Sequence, residues 1–246
     1  MAILLRAAMI ASVAALAAGV WWDGRLPEPQ RLVPDLRQEP VQRATRKAPF
    51  TTTVGGVEYK IAPQYDYELR GLVVSQHHAD AWWDWVHAAF DDHLNVMDLC
   101  VVWGDNAASG VYRDVSFRNG QWTCEFSTPS QLVYQAFKQH QISNNHLLVD
   151  SPQLTRRIKR LRVGDQVLLK GYLAEYRHNS QGRAFFRGTS TTRTDTGNGA
   201  CETLYVTEAQ VLRSAPASGR RLFWTGALGV LISLAIWVAL PHRGRG

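Results

Sequence analysis

Hydrophobic and polar positions divide this chain into two uniformly apolar ends and an alternating middle. Residues 7–22 carry no charge, and with Ile3 to Leu5 the run is long enough to cross a bilayer, broken only by Arg6. Leu222 to Leu240 is a second uncharged run, bounded by Arg220 and Arg221 before it and by Pro241-His242-Arg243 after it. The pattern predicts transmembrane helices over 3–22 and 222–240, with Trp21 and Trp22 at a membrane interface. The first run also has the charged-then-apolar order of an export signal, with small residues around Ala15-Leu16-Ala17. The presence of a second span favours an uncleaved anchor.

Between these ends the period changes. Val54 to Ile61 reads as a short hairpin, and Tyr67 to Ser75 as a strand with Gly71 in its middle. Ala79 to His93 reads as a helix at 3.6 spacing. Trp82, Trp85, Val86, Ala89 and Phe90 would form its buried face, with Asp80, Asp84, His87 and Asp91 outside. Leu99 to Trp103 is a predicted strand. Val111 to Phe117 and Trp122 to Phe126 flank Asn119-Gly120, a pair suited to a type I′ hairpin turn. A helix is expected over Gln131 to Gln139. In the next, Leu154, Ile158 and Leu161 form one face, opposite Arg156, Arg157, Lys159, Arg160 and Arg162. That basic face suits either phosphate or plain solvent, and solvent is the commoner case.

Val167 to Leu173 alternates around Gly171 as a central strand. A turn at Asn179–Gly182 feeds a return strand from Arg183 to Thr191. A second turn, Asp195 to Gly199, feeds a last strand from Cys201 to Leu212. Apolar parity switches within that last strand, which predicts a bulge near Thr207-Glu208. Glycine inside long strands marks bulges or tight bends. The fold class expected is mainly β (α+β): a small OB-like β-barrel with two or three short helices, flanked by two transmembrane helices. Residues 23–48, with Pro27, Pro29, Pro34 and Pro40, read as an extended spacer. The globular domain is then 49–212, with a linker at 213–221 and a tail at 241–246.

Charge changes one conclusion. The net charge of +6 suggests a polyanion partner, but residues 49–212 hold 15 Lys/Arg against 17 Asp/Glu. The surplus lies beside the apolar runs, where cations meet lipid headgroups. Membrane lipids and a protein are the partners expected, and nucleic acid is not. Two spans put both termini on one side. The export-like start favours an extracytoplasmic domain.

Cysteines are few. Cys100 and Cys124 lie on predicted strands and either bridge or remain buried thiols; Cys201 makes the count odd. No Cys-x-x-Cys pair exists, and no cofactor is implied.

Three groups of residues could carry chemistry. Asp84, His87 and Asp91, with His77, His78 and His93 nearby, offer metal-ligand types one turn apart, though a solvated helix face is the simpler reading. Cys201, His146 and Asp195 suit a thiol nucleophile with its base and orienter, yet Cys201 belongs to a strand rather than a helix N-terminus. Asn144, His146, Arg193, Asp195, Asn198 and Glu202 suit the rim of a binding module, which is the preferred reading.

The combination Ser143-Asn144-x-His146-Leu147, Gly164-x-x-Val167-x-Leu169-x-Gly171-Tyr172-Leu173 and Arg193-x-Asp195-x-Gly197-x-Gly199-Ala200-Cys201-Glu202 resembles an uncharacterised family of bacterial membrane-anchored proteins. The resemblance covers roughly Tyr67 to Leu212. It implies a shared fold and site and no particular chemistry. The chain departs from the family's pattern at Val149-Asp150, where proline is usual, and at Cys100, so a disulfide there would be local to this protein. The expected function is a membrane-tethered OB-like binding or scaffold domain of the bacterial inner membrane. It would recognise a protein or envelope component. A thiol-dependent hydrolase and a single-stranded nucleic-acid binder are the alternatives.

Overall fold

A computed structural model describes residues 2–197 and 200–239. The chain forms two compact units, one made from both ends and the other from Leu26–Ala215.

The first unit pairs α1 (Ala2–Trp22) with α6 (Ser218–Ala239). Both are long and apolar enough to cross a membrane. They run antiparallel: Gly219 lies against Trp22 and Asp23, Gly226 against Leu16 and Ser12, and Gly229 against Ser12. A β-carbon at Gly226 would collide with the backbone of α1. Close approach through small residues is how apolar helices gain contact where lipid supplies no hydrophobic drive. The second helix begins four residues before the predicted span and takes in Arg220 and Arg221. Such side chains reach outward from a helix end.

The second unit is built on an eight-stranded mixed sheet. Its strands are β1 (Val41–Ala44), β2 (Phe50–Val54), β3 (Val57–His78), β4 (Asn95–Val102), β7 (Ile142–Leu148), β8 (Gln166–Ser180), β9 (Arg183–Arg187) and β10 (Glu202–Arg213). Their order is β1-β3-β4-β7-β10-β8-β9, with β2 on β3 and a further pairing of β3 with β8. β7 and β10 are parallel, and every other pair is antiparallel. The hairpin β5 (Ser116–Asn119) and β6 (Cys124–Ser127) forms a separate small sheet. Short helices fill the connections: α2 (Trp85–Ala89), α3 (Gly104–Ser109), α4 (Gln131–Ala136) and α5 (Pro152–Ile158).

Period-2 alternation places Leu69, Val73, Leu99, Val101, Leu147, Val167, Leu169, Leu173, Leu204 and Val206 in one buried cluster, covered by Ile158 and Leu161. Gly171 sits where β8 and β10 touch, and a β-carbon there would run into the Tyr205 carbonyl. The predicted bulge is present between Val206 and Glu208.

Several expectations need correction. The proline-rich segment is no spacer. Leu36 is fully buried, Leu26 and Leu32 pack on the same cluster, and Val41–Ala44 pairs with β3. Glu39 accepts from Trp103 Nε1 and Gln141 Nε2, both at 2.7 Å. Prolines set the direction of this segment, but its leucines bury it.

The helix predicted over 79–93 shrinks to one turn, and its faces are inverted. Trp82 is 96% exposed and Trp85 71%, whereas Asp84 and His87 are buried. Asn119 pairs with Cys124, so 120–123 form a four-residue loop rather than a tight turn. The return strand ends at Arg187, and the chain then wraps back so that Ser190 N–H donates to the Cys201 carbonyl.

Candidate functional site

Cross-strand register sets side chains in rows. His77, Asp98, His146 and Thr203 stand side by side across β3, β4, β7 and β10, and Ser75, Cys100 and Asn144 form the next row. Facing residues of a pair project to the same side. One face of the sheet therefore carries a buried polar band where a soluble domain would ordinarily place solvent-facing residues. Cover comes from α2 and the β5–β6 hairpin. Cys100 and Cys124 are joined as a disulfide that ties the hairpin to β4.

The band is a continuous hydrogen-bonded chain. His77 Nε2 lies 2.6 Å from Asp84 Oδ2, and His87 Nδ1 lies 2.5 Å from the same oxygen. Asp84 also caps α2, its Oδ1 accepting from His87 N–H. His87 Nε2 receives Trp122 Nε1 at 2.8 Å and Asn95 Nδ2 at 3.0 Å. Asn95 Nδ2 donates onward to Asp98 Oδ1, which also meets His146 Nδ1 at 2.7 Å. The backbone N–H of Trp122 donates to Asp98 Oδ2.

The donor inventory fixes the protons. Indole nitrogen only donates, so His87 Nε2 is an acceptor and the ring proton sits on Nδ1, aimed at Asp84. Burial pushes Asp98 upward, but the neighbouring His146 and the bonds from His146 and Asn95 outweigh it and hold the carboxyl down at about 2. An ionised Asp98 only accepts, so His146 carries its proton on Nδ1. Asp84 is likewise held below the ordinary carboxylate range, burial being outweighed by bonds from His77 and His87.

His77, Asp84 and His87 are of metal-ligand type and cluster closely. Their geometry is that of hydrogen bonds. Two ligands about 2.1 Å from a tetrahedral zinc would stand about 3.4 Å apart, farther than the 2.5 and 2.6 Å found here. Coordination through His87 Nδ1 would also move its proton to Nε2, into the Trp122 N–H. Asp91, the third residue of the predicted metal group, lies elsewhere, 3.7 Å from Arg183. His78 is half-buried, and His93 packs under Gly55.

The proposed catalytic trio does not assemble. Asp98, not Asp195, holds His146, and Asp195 accepts from Ser190 Oγ. Burial pushes the Cys201 thiol up to about 11, the opposite of an activated nucleophile.

The predicted rim splits between the two faces. Arg193 pairs with Glu202 at 2.7 Å and donates to Tyr67 OH on the apolar-core side. Burial pushes Glu202 up to about 7 in spite of Arg193. Asn144 lies on the polar face, where its Oδ1 accepts from Asn119. Asn198 lies outside the described residues.

Beside Asn144 and Cys201 opens a cavity of about 160 Å³, walled by Trp122, Phe126 and Ile142. Asp98, Asn95 and Trp122 were not predicted as site residues, and His77 was expected only beside the metal-ligand group. For Asp98 the signal was a charged residue inside the otherwise apolar run Val96–Val102.

Comparison with known proteins gives no match: no family model, no curated protein and no solved structure is similar to the chain.

Proposed function

We propose that the protein is a membrane-tethered binding module of the bacterial envelope, of the kind its sequence resembles. Its OB-like barrel is held on the extracytoplasmic side and recognises a protein or envelope component. The barrel reading is supported by the strand path β3-β4-β7-β10-β8, by the β3–β8 pairing that links its two ends, and by the parallel β7–β10 pair. A helix between β7 and β8 also belongs to that arrangement. The Cys100–Cys124 bridge favours an oxidising compartment, and the two apolar helices favour the membrane.

The observation that carries the binding role is the cavity beside Trp122, Asn144 and Cys201, whose wall is held in place by the buried polar band across β3, β4 and β7. Ligands of such barrels use the second and third strands of the path, here β4 and β7. A module of this type binds through preformed side chains, and every charged member of the band is already paired.

Two experiments test the reading. Alkaline phosphatase fused after Lys47 is expected to be active, and a fluorescent protein fused at Gly246 to fluoresce; the reverse pattern removes the extracytoplasmic placement. In intact membranes, a photoreactive residue at Thr123, on the cavity rim, should give a discrete adduct that the same residue at Lys60 does not. Identical adducts, or none at either position, would count against this face.

A further inference from the structure

We propose that the globular unit makes a second contact with the bilayer through the tip formed by Trp82, Trp83 and Trp85 together with the arginines of α5, and that the surface it fits is anionic lipid. The proposal rests on the membrane-tethered reading above.

Three tryptophans within four residues stand on one β3–β4 connection, exposed by 96%, 48% and 71%. Their exposure follows from the local structure. Asp84 is turned inward by His77 and His87, which forces its neighbours outward. Indole rings favour the headgroup layer, where an apolar body and a polar N–H are both accommodated.

The charges beside the tip match that layer. Lys159 bonds to Asp80 at 2.6 Å, which sets the α5 region next to the tryptophan connection. Arg156, Arg160 and Arg162 are exposed there and have no ion-pair partner among the described residues. The carboxylates on the β3–β4 connection nearest the tip do not cancel them: Asp80 is taken by Lys159, and Asp84 is buried. Guanidinium groups around exposed aromatic side chains form a surface complementary to anionic headgroups. This local basicity contrasts with the 15 Lys/Arg against 17 Asp/Glu of residues 49–212.

The chain keeps the globular unit tethered close to the membrane span. Only residues 214–217 join β10 to α6, at most about 18 Å of extended backbone. A weak contact that would fail for a free domain is favoured when its target is always within reach.

The test is hydrogen exchange on the full chain in nanodiscs, either purely zwitterionic or with one third phosphatidylglycerol. The expected result is exchange slowed at least three-fold at 79–90 and 152–162 in the anionic discs alone, with the sheet unchanged. The triple variant Arg156→Gln, Arg160→Gln, Arg162→Gln should abolish that difference, and Trp82→Ala with Trp85→Ala should reduce it. Equal exchange in both discs overturns the proposal, as does protection of these segments only after a soluble partner protein is added. Exchange in 2–22 and 218–239 is read in the same samples. If those helices are protected while the tip is not, the tether stands and only the second contact is lost.

Discussion

The indole N–H of Trp122 meets Nε2 of His87 at 2.8 Å, and that bond decides which nitrogen of His87 carries a proton. Trp122 adopts φ 67° to make it, while its own N–H reaches Asp98. One residue in a strained loop thus sets the His87 tautomer and supplies Asp98 with a donor. Nitrogen-15 NMR should find His87 protonated at Nδ1, and an Nε2–H form would refute the assignment. Trp122→Phe keeps an aromatic ring but removes the donor. It should cost about 1–2 kcal/mol, a fall of about 2–8 °C in melting temperature.

Asp98 gives an acid signature. Its folded pKa of about 2 lies below the unfolded value of about 3.9. The stability it contributes is therefore fully present above about pH 4 and is lost as pH falls through about 2. Asp98→Asn must turn an amide N–H₂ toward one of three donors. It should cost about 2–4 kcal/mol at neutral pH and flatten the acid limb of a melting-temperature profile. A variant that keeps the wild-type limb would place the titrating group elsewhere.

Glu202 acts with the opposite sign. Its folded pKa, raised to about 7, exceeds the unfolded value, so the folded state holds the proton longer. Stability should decline as pH rises from about 4.5 to 7 and level off above. Glu202→Gln keeps an acceptor for Arg193 and should remove that slope. Calorimetry across pH 4–8 reads it directly.

The strand pattern was legible in the sequence because burial there is periodic. Gly171, the 207–208 irregularity and the long strands around them follow from alternation and from where a β-carbon cannot fit. The site was not legible for a related reason. Asp84 and His87 look like the wet face of a helix, since hydrophobicity alone assigns charge to solvent. They are inside because His77 on β3, Asn95 on β4 and Trp122 in the hairpin loop, three separate elements, supply partners for them. The tryptophans mislead in the same way: Trp82 and Trp85 have the spacing of a core stripe, and a single helical turn leaves no room to bury them.

The disulfide offers a fourth prediction. Cys100 and Cys124 close a loop whose covalent constraint is worth about 3 kcal/mol in chain-entropy terms. Reduction should lower the denaturation midpoint and open 116–127 to protease. Cys201, with its thiol pushed up to about 11, should react with iodoacetamide at pH 8 only on unfolding. Rapid labelling of the native protein would reverse that assignment.

Gly171→Ala tests the contact between β8 and β10. The added methyl group meets the Tyr205 carbonyl, which belongs to rigid backbone. The variant is expected to lose cooperative unfolding, whereas Gly182→Ala, with open space around it, should cost only about 1 kcal/mol for its positive φ.

The long strand β3 has a further effect, on timing. Tyr59 pairs with His178 and Leu72 with Gln166, so β3 completes its ladder only with residues made much later. A growing chain exposes that edge throughout synthesis, because its partner does not yet exist. Folding dominated by such distant pairings is slow, on the order of milliseconds to seconds. The interval before β8 emerges, rather than the strength of the finished sheet, is when the nascent protein is most open to aggregation and cleavage.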